Sequence, residues 1–568
     1  MTWKDVYPRP QLRRESWQSL DGEWMVQGAW TEGGGFAPVP SCRTEEEVFC
    51  STSFDFERTE DVVLLHFEAA DQIADVKLNG TDLGIHSGGY LPFEFDISDI
   101  VIDGVNTLEV HIVDKLSHDF PYGKQRKDRG GMWYTPMSGL WQSVWIEQVP
   151  KGYIRSVRIT PDLEGATVEL ECPCEAQISL LGVFCGADGK DIDAGVKHAE
   201  NGCFKPLSVS GEKQVFRVRP EYPKLWTPDA PYLYRAKITA GRDSAEIYFG
   251  LRTVSIESIG GTNRVCLNGK PIFLHGVLDQ GYFTPGLMLP DDPAEYERDI
   301  LRMKELGFNL LRKHIKTEPR QFYYDCDRLG ILVMQDMVNS GDYSFLRDTA
   351  LATIGIKRSD RVEKLSYRQE FFIDHCEKTV QLLYNHPSIV AWTIFNEGWG
   401  QFNSDELYGM FKEWDSTRLI DSTSGWFMQQ KSDFDSRHIY FRTPEIKEGG
   451  KGGRPLFISE CGGYSFEAGG HGTPGPLNPG QSQKSYGYGK CKNSQELTDR
   501  ICALYEKMIL PAIKHGCCGC IYTQLSDIED EINGLYTYDR SLCKVEKERL
   551  KAIAGIIEQE LKRACGSK

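Results

Sequence analysis

Apolar and polar positions alternate with period two through the first stretch of the chain. Val62-Val63-Leu64-Leu65-His66-Phe67 reads as a strand. Val76 and Leu78 alternate with polar neighbours and run into Asn79-Gly80, a hairpin turn signal. Leu108, Val110 and Ile112 alternate again, and Val144-Trp145-Ile146 closes the set. Many short strands separated by turns predict a jelly roll over residues 1–150. Val157-Arg158-Ile159 and Val168-Glu169-Leu170-Glu171 keep period two and predict a smaller, immunoglobulin-like β-sandwich over 151–255. From 256 the pattern changes to apolar runs alternating with helical spacing. The runs are Ile272–His275, Asn309–Arg312, Ile331–Asp336, Ile389–Asn396, Arg418–Asp421, His438–Tyr440, Leu456–Glu460 and Cys520–Gln524. Ile300, Met303 and Leu306, and later Phe372, Cys376, Val380 and Leu383, recur at helical spacing between them. Eight such strands predict a (β/α)8 barrel over 256–568.

The runs end in polar and ionisable residues. The first ends at His275 and leads to Asp279; the second leads to His314. The third ends at Asp336, the fourth at Asn396-Glu397, the sixth at Tyr440, the seventh at Glu460 and the eighth at Gln524. In a parallel barrel the carboxyl ends of all strands face one mouth. Two carboxylates there, Glu397 and Glu460, with no nucleophilic Ser or Cys motif and no phosphate loop, point to glycoside hydrolysis. One must be held protonated to serve the departing oxygen; the other must stay ionised to attack the anomeric carbon. The Asn396 amide is placed to donate to a sugar hydroxyl, and His275, His314, Asp279, Asp336, Tyr440 and Gln524 are expected around the sugar. The loop from Tyr122 to Tyr134, YGKQRKDRGGMWY, is basic and Gly-rich; it is expected to reach over a site, its own or a neighbour's, with Trp133 as a stacking face.

Composition narrows the partners. A formal charge of −17 over 568 residues argues against nucleic acid and anionic membrane. The longest apolar runs are shorter than a membrane span, and no basic start with an apolar run marks a secretory leader. Seventeen scattered cysteines form no compact framework, so a reduced, cytoplasmic setting is expected. Cys517, Cys518 and Cys520 sit in a small-residue strand without a fourth ligand at zinc spacing, and no metal or cofactor is expected. The expected partner is a carbohydrate or glycoside, with a homo-oligomer left open.

These residues resemble glycoside hydrolase family 2. Ser138 to Glu147 (SGLWQSVWIE) resembles the family's first-domain signature. Leu225-Trp226-Thr227-Pro228, Pro231 to Tyr234 and Phe249-Gly250-Leu251-Arg252 resemble its second-domain hallmarks. Asn396-Glu397 matches its acid/base motif, and Glu460 in PLFISECGG its nucleophile. The resemblance implies the same three domains and net retention. It places Tyr440 and His314 among sugar-contacting or nucleophile-supporting groups. Its glucuronidases carry Asn-x-Lys before a Gly-Leu/Ile-aromatic-Thr segment; here Glu531-Ile532-Asn533 precedes Gly534-Leu535-Tyr536-Thr537, without the Lys. Asp527, Glu529, Asp530 and Glu531 crowd that segment, which favours a neutral sugar, β-galactose first and β-glucuronide second. Lys124, Arg126, Lys127 and Arg129 could supply cations from another direction. A magnesium ligand of the lactose-cleaving members is replaced here by Val338.

Overall fold

The computed structural model describes residues 1–28, 35–185, 203–351, 356, 358–440, 442–469 and 485–566. The first domain is a two-sheet sandwich. Strands of alternating burial, such as Gly104–Val113, turn Leu108, Val110 and Ile112 inward. A six-stranded and a four-stranded antiparallel sheet close on one core that includes Val63, Leu65 and Phe67 of the strand Val62–Phe67. Ala166–Glu171 buries Ala166, Val168 and Leu170 by the same rule, in a second sandwich of two four-stranded sheets. The turn Leu225–Pro228 is a packing corner. Trp226 is fully buried, and its indole N–H donates to the Asp327 carbonyl of the third domain (2.8 Å).

The third domain is an eight-stranded, all-parallel barrel: Leu274–Asp279, Leu310–Lys313, Leu332–Asp336, Ile389–Asn396, Leu419–Ser424, Asp435–Ile439, Leu456–Gly462 and Cys517–Thr523. Backbone ladders join them in the order five-four-three-two-one-eight-seven-six. The seam between strands five and six is bridged by side chains instead. Ser436 donates to Asp421 Oδ2 (2.7 Å), and Ser424 Oγ lies 3.0 Å from His438 Nε2. Leu274, Leu278, Leu310, Met334 and Ile521 fill the barrel, together with Val265 and Leu267 from the hairpin strand Thr262–Leu267 beneath it. Val277, Leu311 and Val333 face outward to the helices, where Ile300, Met303, Phe372 and Cys376 meet them. Among the described residues no helix is long and apolar enough to cross a membrane. All seventeen cysteines are free thiols, with Cys517, Cys518 and Cys520 buried in the eighth strand.

Candidate active site

Strand four is buried along its whole length, and Glu397 leaves it by a left-handed turn (φ 53°) with its N–H on the Ser424 carbonyl (3.0 Å). Such a conformation costs a non-glycine residue about 1 kcal/mol. It turns the carboxylate toward strand six, where His438 Nδ1 meets Glu397 Oε1 at 2.8 Å. His438 also lies 3.4 Å from Glu460 Oε2. Glu460 stands on strand seven at a break in register between Ile458 and Cys461, a bulge that aims its side chain inward. One carboxylate oxygen each of Glu397 and Glu460 and a ring nitrogen of His438 all lie within 4.8 Å of one another, so the two carboxylates share one small space.

Their surroundings differ. Burial pushes Glu460 up, but the His438 and Arg312 charges and the Tyr440 hydroxyl outweigh it and hold the carboxyl down at about 2. Arg312 is fully buried and ties four strands together. Its Nε and Nη2 bind Asp336 (both 3.0 Å). Its Nη1 binds the Ser459 carbonyl (3.0 Å) and Glu460 Oε1 (3.1 Å), and its Nη2 also binds Asn396 Oδ1 (2.9 Å). With its carbonyl oxygen taken, Asn396 has its amide N–H groups to offer a ligand. Tyr440 donates to Glu460 and stacks on Tyr488 with centroids 3.9 Å apart. Burial and the Glu460 charge keep the Tyr440 phenol protonated, as a donor must be.

His314 Nδ1 lies 2.7 Å from Asp336 Oδ2. Asp336 is ionised: burial raises its pKa, and the Arg312 and His314 contacts more than offset that. A carboxylate only accepts, so Nδ1 carries the proton and Nε2 is an acceptor. Burial and the Lys124 charge bring His314 down to about 4, so the ring is neutral at pH 7. Asp336 is therefore a clamp on Arg312 and His314. Gln524 closes strand eight in an amide chain: it donates to Asn533 Oδ1 (2.8 Å) and accepts from Gln280 (2.5 Å), while Asn533 donates to Glu531 Oε1 (3.0 Å).

Two expected site residues face away from the mouth, and a third is covered at it. His275 begins the first strand rather than ending it, because the strand continues through Gly276 to Asp279. Its ring faces the helices and bonds the Gly307 carbonyl (3.0 Å) and the Tyr505 hydroxyl (2.8 Å). Asp279 shares that outward face; it holds Lys313 Nζ at 2.6 Å, and Lys313 in turn holds Glu318 at 2.8 Å. Trp133 is no open stacking face. It is 6% exposed, edge-on to Trp399 (5.0 Å) and Tyr343 (5.1 Å), with the Arg126 guanidinium 5.5 Å from its ring centre.

The loop carrying Trp133 covers its own barrel. Tyr122 donates its N–H to the Asn339 carbonyl (3.1 Å) and its hydroxyl to the Gly341 carbonyl (2.8 Å). Arg129 pairs with Glu529 (3.0 Å), and Tyr134 donates to Glu531. The acidic segment after strand eight is partly offset within the fold. Lys544 binds Asp527 (2.7 Å), Arg129 takes Glu529 and approaches Asp530 (3.8 Å), and burial raises the pKa of Glu531. Val338 is buried among Tyr134, Met137 and Tyr282.

Comparison with known proteins follows this architecture domain by domain. Residues 43–148 match the galactose-binding domain-like model of glycosyl hydrolase 2, 152–252 the glycosyl hydrolases family 2 model, and 260–446 that family's TIM barrel domain. The chain belongs to glycoside hydrolase family 2. Curated relatives in the family include a β-galactosidase of Pseudoalteromonas haloplanktis, 27% identical over 63% of this chain and 33% of that protein. Another, from Thermoanaerobacter pseudethanolicus, is 28% identical over 58% of this chain and 42% of that protein. The chain thus spans about a third of the length of the first of these curated relatives. Similar folds include a β-D-glucuronidase from Dictyoglomus thermophilum (TM-score 0.72, 19% identity, 97% of this chain and 98% of that one). A β-galacturonidase from Eisenbergiella tayi bound to galacturonate is also similar (TM-score 0.70, 18% identity, 96% and 98%).

Sequence reasoning missed His438 and Arg312. Both sat inside named runs, and period two held the signal. His438 is two residues before Tyr440 and Arg312 two before His314, so each shares a strand face with a residue expected at the mouth.

Proposed function

We propose that the protein is a retaining, exo-acting β-glycosidase that hydrolyses a terminal non-reducing β-linked sugar by double displacement. The observation that carries this reading is the closeness of the Glu397 and Glu460 carboxylates, which bring one oxygen each within 4.8 Å. A gap near 5 Å suits attack by a carboxylate; inversion needs about 6.5 Å or more, to admit a water. Glu460, held ionised, attacks the anomeric carbon and forms the C–O bond of a glycosyl-enzyme. Glu397 gives its proton to the departing glycosidic oxygen, then takes one from the water that cleaves the ester and frees Glu460. Asn396, His314 and Tyr440 are the groups proposed to hold the sugar and the nucleophile in register.

Two glycone classes have support. β-Galactosidase names among the curated relatives and the missing Lys before Gly534 support a neutral β-galactoside. A β-hexuronide is supported by the internal pairing of Asp527 with Lys544 and of Glu529 with Arg129, which lessens the repulsion that argued against it.

Hydrolysis of an aryl β-glycoside followed by proton NMR tests the mechanism. The first-formed hemiacetal is expected to be the β anomer, and Glu460→Gln is expected to lose at least about 10⁴-fold in kcat. An α anomer formed first, or full turnover in Glu460→Gln, ends the proposal.

A further inference from the structure

Four cations line the first-domain loop that covers the barrel, and their partners separate them. Arg126 forks onto Asp128 (2.9 and 2.7 Å), Lys127 pairs with Glu46, and Arg129 pairs with Glu529 (3.0 Å). Lys124 makes no side-chain hydrogen bond or ion pair among the described residues, and it is only half-buried.

The backbone fixes where Lys124 stands. Gly123 before it has φ +68°, and a Cβ there would meet the Ile315 carbonyl at 3.2 Å and the Tyr90 hydroxyl at 2.8 Å. The loop can therefore press against the turn that follows strand two and His314. On its other side the Lys124 carbonyl accepts from Tyr134 N–H (2.9 Å), and the Tyr134 hydroxyl reaches Glu531 beyond strand eight. Lys124 is thus set between the ends of strands two and eight, on the nucleophile's side of the mouth. Its charge bears on both neighbours, depressing the pKa of His314 and opposing the rise in Glu531.

A half-buried ammonium without a protein partner has given up part of its hydration, and a ligand carboxylate restores it through a charge-assisted hydrogen bond. The acids that would otherwise compete for it have other partners: Asp527 has Lys544, Glu529 and Asp530 have Arg129, and Glu531 accepts from the Tyr134 hydroxyl and the Asn533 amide. We propose that Lys124, delivered by the first domain, is a specificity-determining residue that pairs with the carboxylate of a β-linked sugar acid seated over Glu460. The inference rests on the glycosidase reading above and selects its acidic glycone. It also gives the first domain a direct part in choosing substrate.

The test measures kcat/KM on aryl β-glucuronide, β-galacturonide and β-galactoside for the wild-type chain, Lys124→Met, Lys124→Arg and the surface control Lys127→Met. The wild type is expected to turn over at least one uronide. In Lys124→Met the ratio of uronide to galactoside kcat/KM should fall at least about 30-fold, chiefly through KM, as expected when one partner of a desolvated charge pair is removed. Lys124→Arg should keep part of the ratio, and Lys127→Met all of it. An unchanged ratio in Lys124→Met overturns the assignment. Turnover of galactoside with no uronide by the wild type also overturns it and leaves the glycosidase reading standing. Failure on every aryl glycoside would sink that reading itself.

Discussion

His438 stands between two carboxylates that the proposed reaction gives opposite duties, 2.8 Å from Glu397 and 3.4 Å from Glu460. After burial, which works the other way, it is the first of the groups holding the Glu460 carboxyl at about 2. Taking the imidazole away removes a charge-assisted contact of about 1.5–3 kcal/mol, so His438→Gln should lower kcat/KM about 10- to 100-fold. The pH profile separates this role from simple packing. Without the neighbouring imidazole, which lowers its pKa, Glu460 is harder to ionise, and the acid limb of kcat/KM must move to higher pH. An acid limb that stays in place in a folded His438→Gln would show that the ring does not govern the nucleophile's charge.

At the scale of a strand, the seam between strands five and six carries its own pH dependence. Asp421 is fully buried there, bonded to Ser436, and burial pushes its carboxyl up to about 6. The folded protein thus holds a proton that the unfolded chain releases near pH 4. Its contribution is present in full below that value and is lost as pH rises through about 6. Replacing Asp421 by Asn removes this loss. The stability advantage of Asp421→Asn over wild type should grow by about 2–3 kcal/mol between pH 4 and 7.5, read from urea midpoints; a constant difference would refute it. Strands also decide how much of the site the sequence made legible. The run ending at Asn396 was readable because strand four is buried on both faces and stops at a polar pair. The first strand reads short in the sequence because Gly276 interrupts its apolar run. A Cβ at Gly276 would strike Ile521 at 2.4 Å, so close packing demands glycine where the pattern suggests an end. Val277 faces the helices, and period two then sends His275 and Asp279 the same way. The bulge that aims Glu460 leaves no composition signal; the carboxylate could be placed at the mouth, but not its bond to Arg312.

Over the whole molecule the barrel is not a catalytic unit to which two β domains are merely attached. The first domain supplies the loop roofing Trp399 and docks through buried charge: Glu68 accepts from Arg320 at 2.6 and 2.7 Å and from the Trp145 indole at 2.9 Å. Both partners are largely buried, with side chains 7% and 14% exposed. Breaking such a pair from one side leaves the other charge uncompensated, which costs about 3–5 kcal/mol. The wholly solvated alternative, about 0–1 kcal/mol, does not apply at this burial. Glu68→Ala should therefore weaken the contact between the domains more than it weakens either core, since Glu68 adds no apolar area to them. Calorimetry at pH 7 should show the first-domain transition separating toward lower temperature while the barrel transition stays near its place. Because Lys124 and Trp133 ride on the docked domain, kcat/KM should fall at temperatures between the two transitions, while the barrel remains folded. A single transition that moves as one, with activity lost only as the barrel melts, would mean that the three domains unfold together and that Glu68 does not govern the docking.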